Sequence, residues 1–415
     1  MRRTLRAAAV SAGMALLLTT GCAGGAEGGA DARLTVDKPV ALADEPVRIR
    51  VTGLRAGAEV VVTAQATDRE GERWEARAVF TADGTGTVDL TRDRPRSGTY
   101  DQADGMGLFW SMKPETAPAD ASRFETRWPE QQRHYEVDVA VESDGTRVAR
   151  RTLTRTWMRD GVTHRPLTVD EDEVHGVLYQ PPADLPGRPP VLSFGGSAGG
   201  VGERYSAALL ASRGHPVLVL CYFDCPGRPD TLEGIGLEYF ATALRLLDRE
   251  AGEGPQRVSV MGRSRGSEAA QLLGHHYPDL VEDIVVYAPS RDTHPGFPEG
   301  DVAWTKDGRP VEHRPIPLDR VRGTVLAIAG GADGLWPSGP AAEEIGEQRG
   351  ASGQRHRALV YPDAGHALGT YAYTATATYL RHPVTDRYVD LGGSPAADAR
   401  ARADSWPEVR LLLRS

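Results

Sequence analysis

Gly262-Arg263-Ser264-Arg265-Gly266 is the stretch of the chain best equipped for chemistry. It follows the apolar run Val258-Ser-Val-Met261 and opens a helical pattern over Glu268–Leu273. A G-x-S-x-G sequence between a strand and a helix is a sharp turn that lifts the serine hydroxyl clear of a sheet. The backbone there is strained and closely packed, which explains a glycine on each flank. The turn also sets the serine at a helix N-terminus, where N–H groups and the helix dipole favour negative charge. A serine hydroxyl needs a base to become a nucleophile. His366, in Tyr361-Pro-Asp-Ala-Gly-His366 after the strand pattern Arg357–Val360, is the candidate. His275 and His276 are neighbours on a helix and cannot face one site together. His215 precedes a proline in a turn, and His294 and His313 lie in a Pro-rich insertion. An acid must orient the imidazole, and in this arrangement the chain order is Ser, Asp, His. Asp333 follows the strand pattern Val325–Ala329, whereas Asp363 reads as a local Asx-turn. Two backbone N–H groups are required to stabilise an oxyanion. We expect one from Arg265 and the other from the loop Gly195-Gly-Ser-Ala-Gly-Gly200, at Gly196 or Ser197. That loop lacks the lysine of a phosphate-binding G-x-x-x-x-G-K-[ST] loop. No metal-ligand spacing is evident, and this chemistry requires no cofactor.

Positioning these residues requires a parallel sheet. From residue 161 to 415, apolar strand patterns alternate with helical ones: Pro190–Phe194, Pro216–Phe223, a helix over Thr231–Ala251, Val258–Met261, Asp283–Ala288 and Thr324–Ala329. Such alternation predicts an α/β sheet covered on both faces, here the α/β-hydrolase fold. Residues 32–160 read differently. Pro46–Thr52, Val60–Thr67, Glu75–Phe80, Tyr135–Val141 and Arg151–Met158 alternate apolar and polar residues between turn signals such as Gly53, Asp83-Gly84 and Asp144-Gly145. This predicts an Ig-like antiparallel β-sandwich, and nothing in it looks chemically reactive.

The 415-residue chain is long enough for two cores, and its 40% apolar and 25% charged content is that of a globular protein. Residues 1–21 read as an export signal, with Arg2, Arg3 and Arg6 ahead of an apolar run from Ala7 to Leu18. Gly21-Cys22 has the form of a lipoprotein processing site, so Cys22 is the expected lipid anchor. Residues 22–31 are small and Gly-rich, as a flexible tether should be. Loss of the leader would move the formal charge from −9 to −12. An acidic surface disfavours nucleic acid as a partner. Contact with a membrane is expected only through the Cys22 anchor, on the outer side of a bacterial membrane. Cys221 and Cys225 then remain, able to pair in an oxidising compartment or to stay as buried thiols.

Several stretches resemble one family. Asp44-Glu-Pro-Val47, Gly71-Glu-Arg-Trp74, Met106–Met112, Gly195–Gly200, Leu237-Glu-Tyr-Phe240, Gly334-Leu-Trp-Pro-Ser338 and Tyr361–His366 are similar to the acyl-CoA thioesterases and bile acid-CoA:amino acid N-acyltransferases. The resemblance implies a β-sandwich ahead of an α/β-hydrolase domain and a triad falling on Ser264, Asp333 and His366. In that family a serine nucleophile accompanies thioester hydrolysis and a cysteine accompanies amino-acid N-acyl transfer. The implied substrate is an acyl thioester. The alternatives are acyl transfer to an amine or alcohol, and an exported carboxylesterase acting on a non-CoA ester.

Overall fold

The computed structural model describes residues 32–252, 257–369 and 371–414. The expected leader, tether and Cys22 lie outside the described residues.

The N-terminal part is a sandwich. Arg33–Val36, Ile49–Thr52 and Val88–Asp89 form a three-stranded sheet, and a seven-stranded sheet is built around Glu59–Thr67, Arg73–Thr81, His134–Ser143 and Thr146–Thr156. The period-2 pattern drives this. Along Glu59–Thr67, Val60, Val62, Ala64 and Ala66 turn inward while their neighbours stay partly or fully exposed. One pairing departs from the antiparallel expectation: Val40–Leu42 runs parallel to Thr154–Thr156. Val40–Leu42 arrives from the edge of the other sheet, without a hairpin to reverse it.

The sandwich strands end at Thr156, and Thr163–Leu167 opens an eight-stranded sheet. The strand order is Thr163–Leu167, His175–Gln180, Val217–Cys221, Val191–Phe194, Val258–Arg263, Val281–Tyr287, Val325–Gly330 and Arg357–Tyr361. The first two strands are antiparallel to their neighbours and the others pair in parallel. Val191–Phe194, Val217–Cys221 and Val325–Gly330 are buried along their whole length, as a sheet covered on both faces demands. Successive residues feed different cores. Val217 and Val219 join one that includes helices Arg204–Ala211 and Pro395–Leu412 and extends into the sandwich. Leu218 and Leu220 join another, covered by helices Leu237–Glu250, Arg265–His276 and Ser338–Glu347.

The helix expected from Thr231 begins only at Leu237. Gly234 has φ +61°, and Leu232 and Ile235 bond to the backbone of Phe297 and Ala303 instead of to a helical turn. Tertiary pairing therefore claims the first six residues.

The two parts share a packed boundary. Asp44 of the sandwich is buried and accepts from Arg213 Nη2 at 2.8 Å and from Trp406 Nε1 of the C-terminal helix. Trp157 packs against Tyr205 and Tyr371 with ring centroids 4.6 and 5.2 Å away.

Candidate active site

Ser264 lies between the strand Val258–Arg263 and the helix Arg265–His276, with φ +52° and ψ −123°. A non-glycine residue in this region is strained, and the surroundings must hold it there. Its N–H donates to Tyr287 O at 2.9 Å. A Cβ on Gly262 would overlap the Gly266 carbonyl, and one on Gly266 would overlap the Gly195 carbonyl. Glycine is thus required on both flanks because backbone occupies the space.

The structure brings the three expected side chains together. His366 begins a short 3-10 turn and is fixed by its own N–H donating to Leu391 O at 2.8 Å. Its Nε2 lies 3.0 Å from Ser264 Oγ and its Nδ1 lies 2.9 Å from Asp333 Oδ2. Asp333 follows the strand Val325–Gly330, and its Oδ1 accepts the Leu335 N–H at 2.9 Å. Burial alone would push the Asp333 carboxyl up. The His366 bond and charge, the Ser338 hydroxyl and the Leu335 N–H outweigh it and hold the carboxyl below its usual value. Asp333 is therefore an anion that fixes Nδ1–H, leaving Nε2 free to accept the serine proton.

The expected oxyanion donors have different fates. Gly196 abuts the serine: a Cβ there would sit 2.7 Å from Ser264 Cβ. Arg265 is the first residue of its helix, so its N–H stands at the unpartnered N-terminus. The Ser197 side chain turns elsewhere. Its Oγ lies 3.0 Å from His382 Nε2, and His382 Nδ1 accepts the Val384 N–H at 3.3 Å. Burial lowers the His382 pKa below its ordinary value.

Cys221 and Cys225 are joined in a disulfide, which settles the alternative that the sequence left open. The loop they close bears on the site through Tyr222, whose Oη donates to Gly195 O and Gly196 O, each at 3.0 Å.

Other contributors were not anticipated. The Trp336 ring stands edge-on to His366 at 5.6 Å, and its Nε1 donates to Ala288 O at 3.1 Å. His294 stacks on Trp336 at 5.3 Å. Glu268 is fully buried beneath the turn. It accepts from Trp304 Nε1 at 2.7 Å and the His294 N–H at 3.2 Å, and pairs with Arg265 Nε at 2.7 Å. Trp336 falls in the stretch Gly334–Ser338 already noted for its family resemblance. Glu268 carried no sequence signal beyond its place in the helix.

A cavity of about 380 Å³ is lined by Gly196 and Arg263, the immediate neighbours of the serine. Its walls come from the glycine loop, from Ala367 and Leu391 near His366, and from Arg69, Arg123 and Trp128 of the sandwich. Arg263 and Arg402 also line it, against Glu125 and Glu203.

Fold and site together define an α/β-hydrolase carrying a Ser-His-Asp constellation at a strand-to-helix elbow. Comparison with known proteins narrows the class. Residues 44–169 match the acyl-CoA thioester hydrolase/BAAT N-terminal region, and residues 303–414 match the BAAT/acyl-CoA thioester hydrolase C-terminal region. The chain belongs to the acyl-CoA thioester hydrolase/BAAT family. It is 28% identical to human acyl-coenzyme A thioesterase 1 over 397 residues, covering 89% of this chain and 93% of that one. It is also 28% identical to mouse bile acid-CoA:amino acid N-acyltransferase over 416 residues, covering 92% and 97%. Among solved structures, a dienelactone hydrolase from Anabaena variabilis aligns with a TM-score of 0.35 at 18% identity, covering 50% of this chain and 88% of that one.

Proposed function

We propose that the protein is a serine hydrolase that cleaves acyl thioesters through an acyl-enzyme. The observation that carries this reading is His366 Nε2 at 3.0 Å from Ser264 Oγ, in a chain of the thioester hydrolase family. Ser264 attacks the thioester carbonyl while His366 takes its proton. The oxyanion is met by N–H groups of Arg265 and the glycine loop, with Gly196 favoured by its contact with the serine. Collapse expels the thiol, which receives the proton from His366. Water, deprotonated by His366, then releases the carboxylic acid. Asp333 holds the imidazole tautomer throughout. The arginines of the adjoining cavity give an acidic protein a local surface suited to an anionic leaving group such as coenzyme A.

The test is Ser264→Ala on the purified mature protein with a panel of acyl-CoA thioesters and nitrophenyl esters. Turnover should fall by about 10⁵-fold or more with the fold intact. Full activity in the variant overturns the assignment. Acyl transfer is a second reading, since a relative of equal identity is named as an N-acyltransferase. Assays with added glycine or taurine separate the two: free acid supports hydrolysis, and an acyl conjugate supports transfer.

We further propose that the protein is exported and held at the outer side of the membrane through Cys22. The basic, apolar and Gly21-Cys22 succession supports this, as does the Cys221–Cys225 disulfide, a bond typical of oxidising compartments. Cys22→Ser should release the protein from the membrane fraction, and retention there overturns the anchor.

A further inference from the structure

The disulfide does not lie at a remote surface. Cys221 ends the strand Val217–Cys221 and is buried, while Cys225 is half-buried four residues on. All three residues between them touch the glycine loop. Tyr222 Oη donates to Gly195 O and Gly196 O. Phe223 O accepts the Gly200 N–H at 3.2 Å. Asp224, at φ +54°, lies against Gly199, where a Cβ would come 2.6 Å from Asp224 Cβ. The clasp therefore grips the glycine loop at both ends.

Peptide geometry gives this grip a chemical meaning. In a trans peptide the C=O and the following N–H point in opposite directions. The Gly195 carbonyl shares its plane with the Gly196 N–H, and the Gly196 carbonyl shares its plane with the Ser197 N–H. Drawing both carbonyls to Tyr222 Oη turns both N–H groups away from Tyr222. These are the two N–H groups of the loop that the sequence nominates for the oxyanion. The phenol itself cannot drift. Its ring packs among Phe194, Phe240 and Trp304, with centroids 6.0, 5.3 and 5.8 Å away, and burial pushes its pKa well up, so it stays a donor.

We propose that Tyr222, clamped by the Cys221–Cys225 disulfide, is the positioning residue that sets the oxyanion-binding peptides. The enzyme then works fully only when this disulfide is formed. A dithiol reductant would deliver two electrons and two protons to the sulfur pair, giving two thiols and an oxidised, cyclic disulfide of the reductant. The freed loop would then let the peptide planes rotate. The proposal rests on the hydrolase reading of Ser264.

The experiment compares the oxidised protein, the dithiothreitol-reduced protein, Tyr222→Phe and the double variant Cys221→Ala, Cys225→Ala. The reduced protein is freed of dithiothreitol by anaerobic desalting, because the dithiol would itself exchange with a thioester. Each protein is then assayed for kcat and KM on an acyl thioester followed by ultraviolet loss of the thioester bond. Tm is measured in parallel. Loss of one oxyanion donor costs about 10²–10³-fold in kcat, and misaimed donors should cost less. We expect about a 10- to 100-fold fall for Tyr222→Phe and a smaller fall, recovered on reoxidation, for the reduced protein. KM should stay within about threefold, as for an interaction made only in the transition state. Wild-type kcat in Tyr222→Phe, or a reduced protein with unchanged kcat, overturns the proposal. So does a loss that tracks KM or Tm alone, which marks a purely structural tie. The rate of fluorophosphonate labelling of Ser264, whose phosphoryl oxygen would use the same N–H groups, gives a readout without turnover. Oxidised wild type that labels but hydrolyses no thioester or ester removes the functional reading and leaves the clasp testable.

Discussion

Asp333→Asn tests the assignment most sharply, because the backbone dictates how the new amide must sit. Oδ1 of Asp333 accepts N–H groups from Leu335 at 2.9 Å and Trp336 at 3.4 Å. An asparagine must keep its carbonyl oxygen there. Its NH₂ then occupies the place of Oδ2, 2.9 Å from His366 Nδ1, and donates toward it. Nδ1 must accept, so the ring proton moves to Nε2, which faces Ser264 Oγ at 3.0 Å. A nitrogen that already carries a proton cannot take another from the serine. The shape is conserved and the base is lost. The expected fall in kcat is about 10⁴-fold, or about 5.5 kcal/mol in activation free energy. The assay is steady-state thioester hydrolysis alongside fluorophosphonate labelling and a melting curve. A variant within about tenfold of wild type would refute the orienting role of Asp333. The same residue has an acid signature. Its folded carboxyl is held below the unfolded value, so its stabilising contribution is complete above the ordinary carboxyl range. That contribution is lost as pH falls through the depressed folded value. Asp333→Asn should therefore flatten the acid limb of Tm against pH.

Three other outcomes are expected. Gly266→Ala places a methyl on the Gly195 carbonyl, which is backbone and cannot rotate aside; stability should drop by about 1–3 kcal/mol and activity should disappear, as read by urea unfolding and turnover. Ser264→Gly removes the side chain from a strained φ of +52° and should stabilise the inactive protein by about 1 kcal/mol; an unchanged or lower urea midpoint contradicts the strain. Asp398 is fully buried, accepts the Gly365 N–H at 2.8 Å, and has its carboxyl pushed up chiefly by burial. A raised folded value makes ionisation at neutral pH a cost that falls away on acidification. Asp398→Asn should keep the Gly365 bond and raise Tm at pH 7, with the gain vanishing toward pH 4; a Tm gap independent of pH contradicts this.

Much of the site was readable because its logic is local or ordered along the chain. Gly262, Ser264 and Gly266 announce a turn through their spacing between a strand pattern and a helical one, and Asp333 and His366 follow from strand ends taken in sequence. The alternating Val60, Val62 and Ala64, and the continuous apolar Val217–Cys221, likewise give the two sheet types away. What stayed hidden depends on partners far off in the chain. Tyr222 reads as one more buried aromatic at a strand end until its hydroxyl is found on the carbonyls of Gly195 and Gly196, 27 and 26 residues earlier. Ser197 is named in the sequence only for its backbone N–H; that its hydroxyl is bonded to His382, 185 residues away, is not visible there. The helix start at Leu237 was misread because Leu232 and Ile235 pair with an insertion 65 or more residues downstream. Periodicity reports which face is apolar; it does not report which distant backbone group will be met there.

The cavity lined by the glycine loop and Arg263 is walled in part by Arg69, Arg123 and Trp128, which belong to the other fold unit. Asp44, tied to Arg213 and Trp406, joins the two fold units. One wall of the cavity thus comes from a piece of chain that carries none of Ser264, Asp333 and His366. Substitutions in the sandwich loops can redraw which acyl or leaving groups are admitted while the elbow, the imidazole and the carboxylate remain untouched.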